Sequence, residues 1–138
     1  MNFSINDCKF YIDEEKRKII CIIPNTDELA LSFIDQFNIG YSYNLKKIKK
    51  MLVMPKSFCG IATCHIEDKF DENIGKLIAY NKARRKLNVS LFKRLNSYVQ
   101  FLDYELGHMI NVLNDYGEKQ SRRESTREQK IKEYFNEV

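Results

Sequence analysis

The chain has 138 residues, the size of one domain, and its 43% hydrophobic and 30% charged residues suit a soluble globular fold and argue against disorder. The longest uninterrupted apolar run, Ile19 to Ile23, falls far short of the roughly 18 residues of a membrane span, and the amino terminus lacks the charged, apolar, small-residue order of an export signal. A net charge of +4, from 23 Lys and Arg against 19 Asp and Glu, means that an anionic partner must be met by local clusters rather than by the overall field.

Lys9–Asp13 and Lys18–Pro24 are aromatic and β-branched runs flanking Glu14-Glu15-Lys16-Arg17, which predicts a hairpin with a charged tip. Pro24 and Asn25 break the strand, and Thr26 reads as the N-cap of a short helix carrying Leu29, Phe33 and Phe37 on one face and stopping near Asn38–Gly40. Asn44–Met54 mixes helical spacing of Leu45, Ile48 and Met51 with a short apolar run. A strand from about Lys49 is the expectation. Ser57–Ile66 predicts a further strand with Phe58, Gly60, Ala62, Cys64 and Ile66 on one face, small enough for another element to pack close.

The second half reads as helix. Ile74, Leu77, Ile78 and Asn81 form one stripe of a helix reaching about Lys86, with Asp71 and Glu72 at its positive end. Asn88 or Ser90 caps a second helix, in which Leu91, Leu95, Tyr98, Leu102, Leu106, Met109, Leu113 and Tyr116 recur at steps of 4, 3, 4, 4, 3, 4 and 3. At 1.5 Å per residue that helix would be about 39 Å long, against a radius of gyration of roughly 14 Å for a compact chain of this length, so part of it is expected to pack on another copy. The 4-4 step is a stutter favouring a short bundle over a fibrous coil. The fold class expected is α+β: an N-terminal antiparallel sheet with a short helix, then two C-terminal helices, the second long and oligomer-forming. Residues 1–117 form the single domain, and the charged residues 118–138 are a helical extension or disordered.

The sequence contains no glycine-rich phosphate loop, no Gly-x-Ser-x-Gly elbow and no His-Glu-x-x-His, which points away from an enzyme. The four cysteines, Cys8, Cys21, Cys59 and Cys64, are too few for a disulfide scaffold and read as small buried hydrophobes of a cytoplasmic protein. Cys59, Cys64 and His65 lie close together, but Cys64 and His65 would point to opposite faces of a strand and no fourth ligand is evident, so no metal or other cofactor is expected. The acidic pairs Glu67 with Asp68 and Asp71 with Glu72 read as turn and helix-start residues.

Asn81 is the local anomaly, a polar residue at a position of the helical stripe where Leu or Ile is expected. Either it hydrogen-bonds across a helix interface and fixes its register, or it lines a pocket and reads a polar ligand. Arg84 and Arg85 lie about one turn on, either as a solvated face or as guanidinium groups for phosphate. Phe70 is either a hydrophobic staple toward Ile74 or a flat platform for a base, next to a helix start whose backbone N–H groups suit an anion.

The stretch from Gly60 to Ala83, with its Gly-x-Ala-x-Cys strand, then Asp-Lys-Phe-Asp at Asp68–Asp71, then Gly and Ala on a helix, resembles a pattern of small phage-encoded proteins. With the order of elements, it is similar to the anti-Thoeris sponge family, phage proteins that sequester cyclic ADP-ribose isomers made by a bacterial defence system. The resemblance implies a non-catalytic, oligomeric nucleotide binder in the cytoplasm of the infected bacterium, with the nucleotide held by aromatic stacking and polar or arginine contacts near a helical dimer interface. Phe70 and Asn81 take those positions here, and Arg17, Arg84 and Arg85 are arginine candidates by chemistry. The competing expectation is a phage regulator that binds nucleic acid or an acidic host protein, through Lys46, Lys47, Lys49, Lys50 and Lys56 and through Lys82, Arg84, Arg85, Lys86, Lys93 and Arg94, with Tyr80 and Phe92 interleaved.

Overall fold

The computed structural model describes residues 4–36 and 45–136. Its elements are a single 3₁₀ turn at Ile5–Asp7, then β1 (Lys9–Asp13), β2 (Lys18–Pro24), α1 (Leu29–Asp35), α2 (Leu45–Leu52), β3 (Ser57–Thr63) and α3 (Glu72–Asn136). The class is α+β, an N-terminal antiparallel sheet followed by helix. The chain divides into two compact units, Met1–Tyr98 and Val99–Val138.

The hairpin forms as its pattern requires, and β2 lies between β1 and β3, antiparallel to both. Cross-strand rows place Phe10, Cys21 and Gly60 together, and Ile12, Ile19 and Ala62 together. Strand alternation sends Ile19, Cys21 and Ile23 of β2 into the core, where they meet Ala79, Tyr80, Ala83 and Leu87 of α3. Small residues decide how α3 sits. A β-carbon on Gly60 would collide with the Ala79 carbonyl oxygen and the Ala83 backbone nitrogen, and one on Gly75 would meet the end of the Ile19 side chain.

That contact fixes the rotation of α3, and here the sequence reading needs correction. The expected inward stripe of Ile74, Leu77, Ile78 and Asn81 is exposed, with the first three at 57%, 52% and 43%. The face turned inward carries Ala79, Ala83 and Leu87, and the small side chains of the two alanines suit the close approach of the helix backbone to Gly60. The break expected between two C-terminal helices is also absent: α3 runs through Lys86, Asn88 and Ser90. No Gly or Pro occurs between Lys76 and Leu106 to stop it, and an Asn or Ser inside a helix costs well under 1 kcal/mol. Leu91 and Tyr98, expected in the long apolar seam, are buried within the first unit at 8% and 1% exposure.

Other differences are local. Lys49–Met54 is not a strand: α2 turns Ile48 and Leu52 inward and leaves Lys46, Lys47, Lys49 and Lys50 exposed, a helical i, i+4 choice that puts the charges outside. Thr26 is not an N-cap, a position held by Glu28 without a side-chain bond. Its hydroxyl instead donates to the Pro55 carbonyl at 2.6 Å and its N–H to the Lys56 carbonyl at 3.1 Å, while the Met54 N–H donates to the Asp27 carbonyl at 3.1 Å, pinning the α1 entrance to the segment before β3. Phe37 and the helix end near Asn38–Gly40 lie outside the described residues. β3 stops at Thr63, three residues short of the expected end, because Cys64–Asp68 turns back around Arg17. Residues 118–136 continue α3, supported by i, i+4 pairs such as Lys119 with Asp115 at 3.1 Å and Gln129 with Glu133 at 3.2 Å.

Gly60→Ala should lower stability by about 3 kcal/mol, the upper range for overpacking against backbone. Gly75→Ala, which meets only the flexible end of Ile19 and gains helix propensity, should stay within about 1 kcal/mol of wild type. Urea denaturation of both variants measures the contrast.

Among the described residues the buried Tyr98 hydroxyl has no hydrogen-bond partner, and burial raises its ionisation above the ordinary tyrosine value. Removing that unpaired group removes its desolvation cost, so Tyr98→Phe should raise the unfolding free energy by about 1 kcal/mol in the same assay.

Candidate functional site

A cavity of about 350 Å³ opens where the end of β3 and the following turn face the first turns of α3. Its wall is organised by Arg17. This residue ends the hairpin tip at φ 54, in the left-handed region that non-glycine residues rarely adopt, and its N–H donates to the Glu14 carbonyl at 3.2 Å. The Arg17 carbonyl accepts the Cys64 N–H at 2.9 Å. Its guanidinium Nη2 reaches Cys64 Sγ and the His65 carbonyl, each at 3.3 Å, and also the Asp68 carbonyl. The turn is closed by the Asp68 N–H to the His65 carbonyl at 3.0 Å and by the Glu67 N–H to His65 Nδ1 at 3.3 Å. Arg17 therefore belongs to the site as the post around which the wall is wound, its guanidinium engaged by backbone carbonyls.

Phe70 is half-buried, packs against the hydrophobic core and lines the cavity, so it is both anchored and available on one side. Asp71 then caps α3: its Oδ1 accepts the N–H groups of Asn73 at 3.0 Å and Ile74 at 3.2 Å. The helix start expected to present bare N–H groups to an anion is thus taken by a carboxylate, which leaves the cations of the helix surface as the anion-attracting groups. Asp68 and Lys69 add one charge of each sign to the rim.

A second, shallower hollow of about 210 Å³ lies along the exposed face of α3, lined by Ile78, Asn81, Lys82 and Arg85. Ile78 also lines the cavity, so the two depressions adjoin. Asn81 and Arg85 line the hollow together, and Phe70 lines the adjoining cavity. Arg84 is exposed and lines neither depression. Sequence reasoning missed Lys69 and Ile78 as lining residues and placed Lys82 only in the basic cluster of the competing expectation. Ile78 was assigned to the core, and the alternation of small and large residues at Gly75, Ile78, Ala79 and Ala83 was the signal that the small ones face inward.

Several cations of the expected basic surface serve the sheet edge instead. Lys82 Nζ donates to the Ile61 carbonyl at 3.0 Å, Lys86 Nζ to the Cys59 carbonyl at 2.9 Å and Arg94 Nε to the Val53 carbonyl at 3.0 Å. They satisfy outward carbonyls of β3 and the segment before it, which blunts an edge that would otherwise pair with another strand.

Among the described residues no group of three or more His, Cys, Asp and Glu side chains is placed to hold a metal ion, and no helix is long and apolar enough to cross a membrane. All four cysteines are free. Burial pushes the Cys21 thiol up to about 12, with further contributions from Cys8 and Cys59, and the Cys8 thiol is raised chiefly by burial. No family model matches the chain, and no curated protein or solved structure matches it.

The Cys21 shift has a definite sign. The folded chain keeps the thiol protonated where an unfolded thiol, at about 8.5, releases its proton, so this stability is complete below that value and is lost as pH rises toward 12. The denaturation midpoint should fall more steeply between about pH 9 and 11 for the wild type than for Cys21→Ala, in which that titration is absent. Equal slopes would contradict the assignment.

Proposed function

We propose that the protein binds a cyclic ADP-ribose-type nucleotide and sequesters it without chemical change, acting for a phage or prophage against a nucleotide-signalled bacterial defence. The observation that carries this reading is the junction at Ile78 of the two depressions, which puts an aromatic side chain, an amide and a guanidinium along one exposed stretch of unit Met1–Tyr98. The chemistry of the ligand class matches those groups. A base stacks on Phe70, a pyrophosphate accepts paired N–H bonds from Arg85, and the Asn81 amide meets a ribose hydroxyl or base edge. A cavity of about 350 Å³ falls within the range of small-molecule sites.

Sequestration asks for affinity and no turnover, and the groups in the cavity suit that division. His65 Nδ1 already accepts the Glu67 N–H, and the Cys64 sulfur lies among the Arg17 guanidinium and the carbonyls of His65 and Asp68, an arrangement without a paired general base. A second reading rests on one observation, the four exposed lysines of α2, which favour a polyanion such as nucleic acid. The two readings separate on salt: nucleic-acid affinity falls steeply with ionic strength, whereas a stacked, partly enclosed nucleotide responds less.

Titration calorimetry with cyclic ADP-ribose isomers should give saturable heat, and heating the complex should release ligand of unchanged mass. Phe70→Ala should weaken binding by about tenfold to a hundredfold, the loss of one stacking contact. Arg85→Ala should weaken it comparably, while Arg84→Ala should leave it unchanged. Absence of heat with every isomer, together with salt-dependent binding to DNA, would overturn the proposal in favour of the second reading.

A further inference from the structure

From Val99 to Asn136 every side chain of α3 is exposed or only partly buried, and taken by itself unit Val99–Val138 is a lone helix. Its apolar residues are nonetheless ordered. Val99, Leu102, Leu106, Met109, Leu113 and Tyr116 follow one another at steps of 3, 4, 3, 4 and 3, and Phe92 and Leu95 precede them in sequence at the same alternation. These six are between 37% and 62% exposed, and Ile110 and Val112 widen the same face. Replacing the buried Leu91 and Tyr98 by Phe92 and Val99 removes the stutter read from the sequence.

An average step of 3.5 is not that of a straight helix, whose face drifts by about 20° per heptad. Such spacing stays in contact only with another α-helix that supercoils with it, each residue entering a hole with the same repeat. A partner of irregular surface does not impose it. We infer that this face packs against the same face of a second copy of the chain.

Charge agrees with that occupant. The acids flanking the seam are Asp103 and Glu105. In the parallel in-register pairing Glu105 lies beside Ile110 of the copy. In the antiparallel pairing centred between Gly107 and His108, Asp103 lies beside Ile110 and Glu105 beside Val112. Neither pairing sets an acid against an acid, and both match all six seam residues with apolar ones. The seam is also bounded. Beyond Tyr116 the next four steps fall on Gln120, Arg123, Arg127 and Lys130, so the apolar row is interrupted by polar residues before Tyr134.

Sedimentation and light scattering of the full chain at micromolar concentration test this. The expected mass is that of two or more chains of 16.4 kDa each. Leu106→Lys combined with Leu113→Lys should weaken self-association at least about hundredfold and return the mass to that of one chain. Tyr104→Lys, a 71% exposed site on the opposite side of the helix, should leave it unchanged. The far-ultraviolet spectrum and cooperative melting of the first unit report whether the double variant remains folded. Cross-linking between chains through cysteines placed at Leu106 and Met109 in the otherwise unchanged protein is expected as a second readout, one that needs no destabilising charge. A wild-type monomer, a double variant that keeps its assembled mass, or equal dissociation by Tyr104→Lys overturns the inference.

Discussion

The close approach of α3 to β3 at Gly60 is the contact on which the first unit depends. With Ala79 and Ala83 opposite it, helix backbone lies against strand backbone with no side chain between, and the helix can rotate very little without collision. The consequences extend along the helix at its own period. Leu87 and Leu91 continue the buried face, while Ile74, Ile78, Asn81 and Arg85 are carried outward. The same seating brings Lys82 and Lys86 within reach of alternate outward carbonyls of β3, so the helix closes the strand's edge as well as one face of the sheet.

Arg17 does for the turn what Gly60 does for the helix. A left-handed backbone at the hairpin tip and a guanidinium shared among Cys64, His65 and Asp68 hold the chain between β3 and α3 in a compact turn. That turn is one wall of the cavity, and the Asp71 cap sets the start of the helix that forms the other. Positive charge in this protein is thus divided by role. Arg17, Lys82, Lys86 and Arg94 complete backbone hydrogen bonding, and Arg85 and the α2 lysines are exposed on their helix surfaces.

The second unit is stabilised on different terms. Its carboxy-terminal part is largely polar, with Ile131, Tyr134 and Phe135 as exposed apolar residues, and carries i, i+4 pairs each worth a few tenths of a kcal/mol, enough to favour helix but not to hold it against solvent on propensity alone. The apolar row from Val99 to Tyr116 is the longest regular apolar stretch of this unit and so has the most to gain from packing.

The sequence by itself determined the hairpin, the small-residue strand at Gly60 and Ala62 and the helical second half, because each is encoded in spacing over a few residues or in composition. It also brought Phe70 and Asp71 forward as the entrance to a helix. It did not determine the face of that helix. Counting apolar residues favoured Ile74, Leu77 and Ile78 for the core, and a hydrophobic stripe has no way to register that a backbone approach at Gly60 excludes branched side chains and selects Ala79 and Ala83. The turn around Arg17 was equally invisible, since its partners lie 47 to 51 residues away. Periodicity is local and could be read from the chain. Which face is buried is a steric competition between elements distant in sequence, and only the tertiary structure decided it.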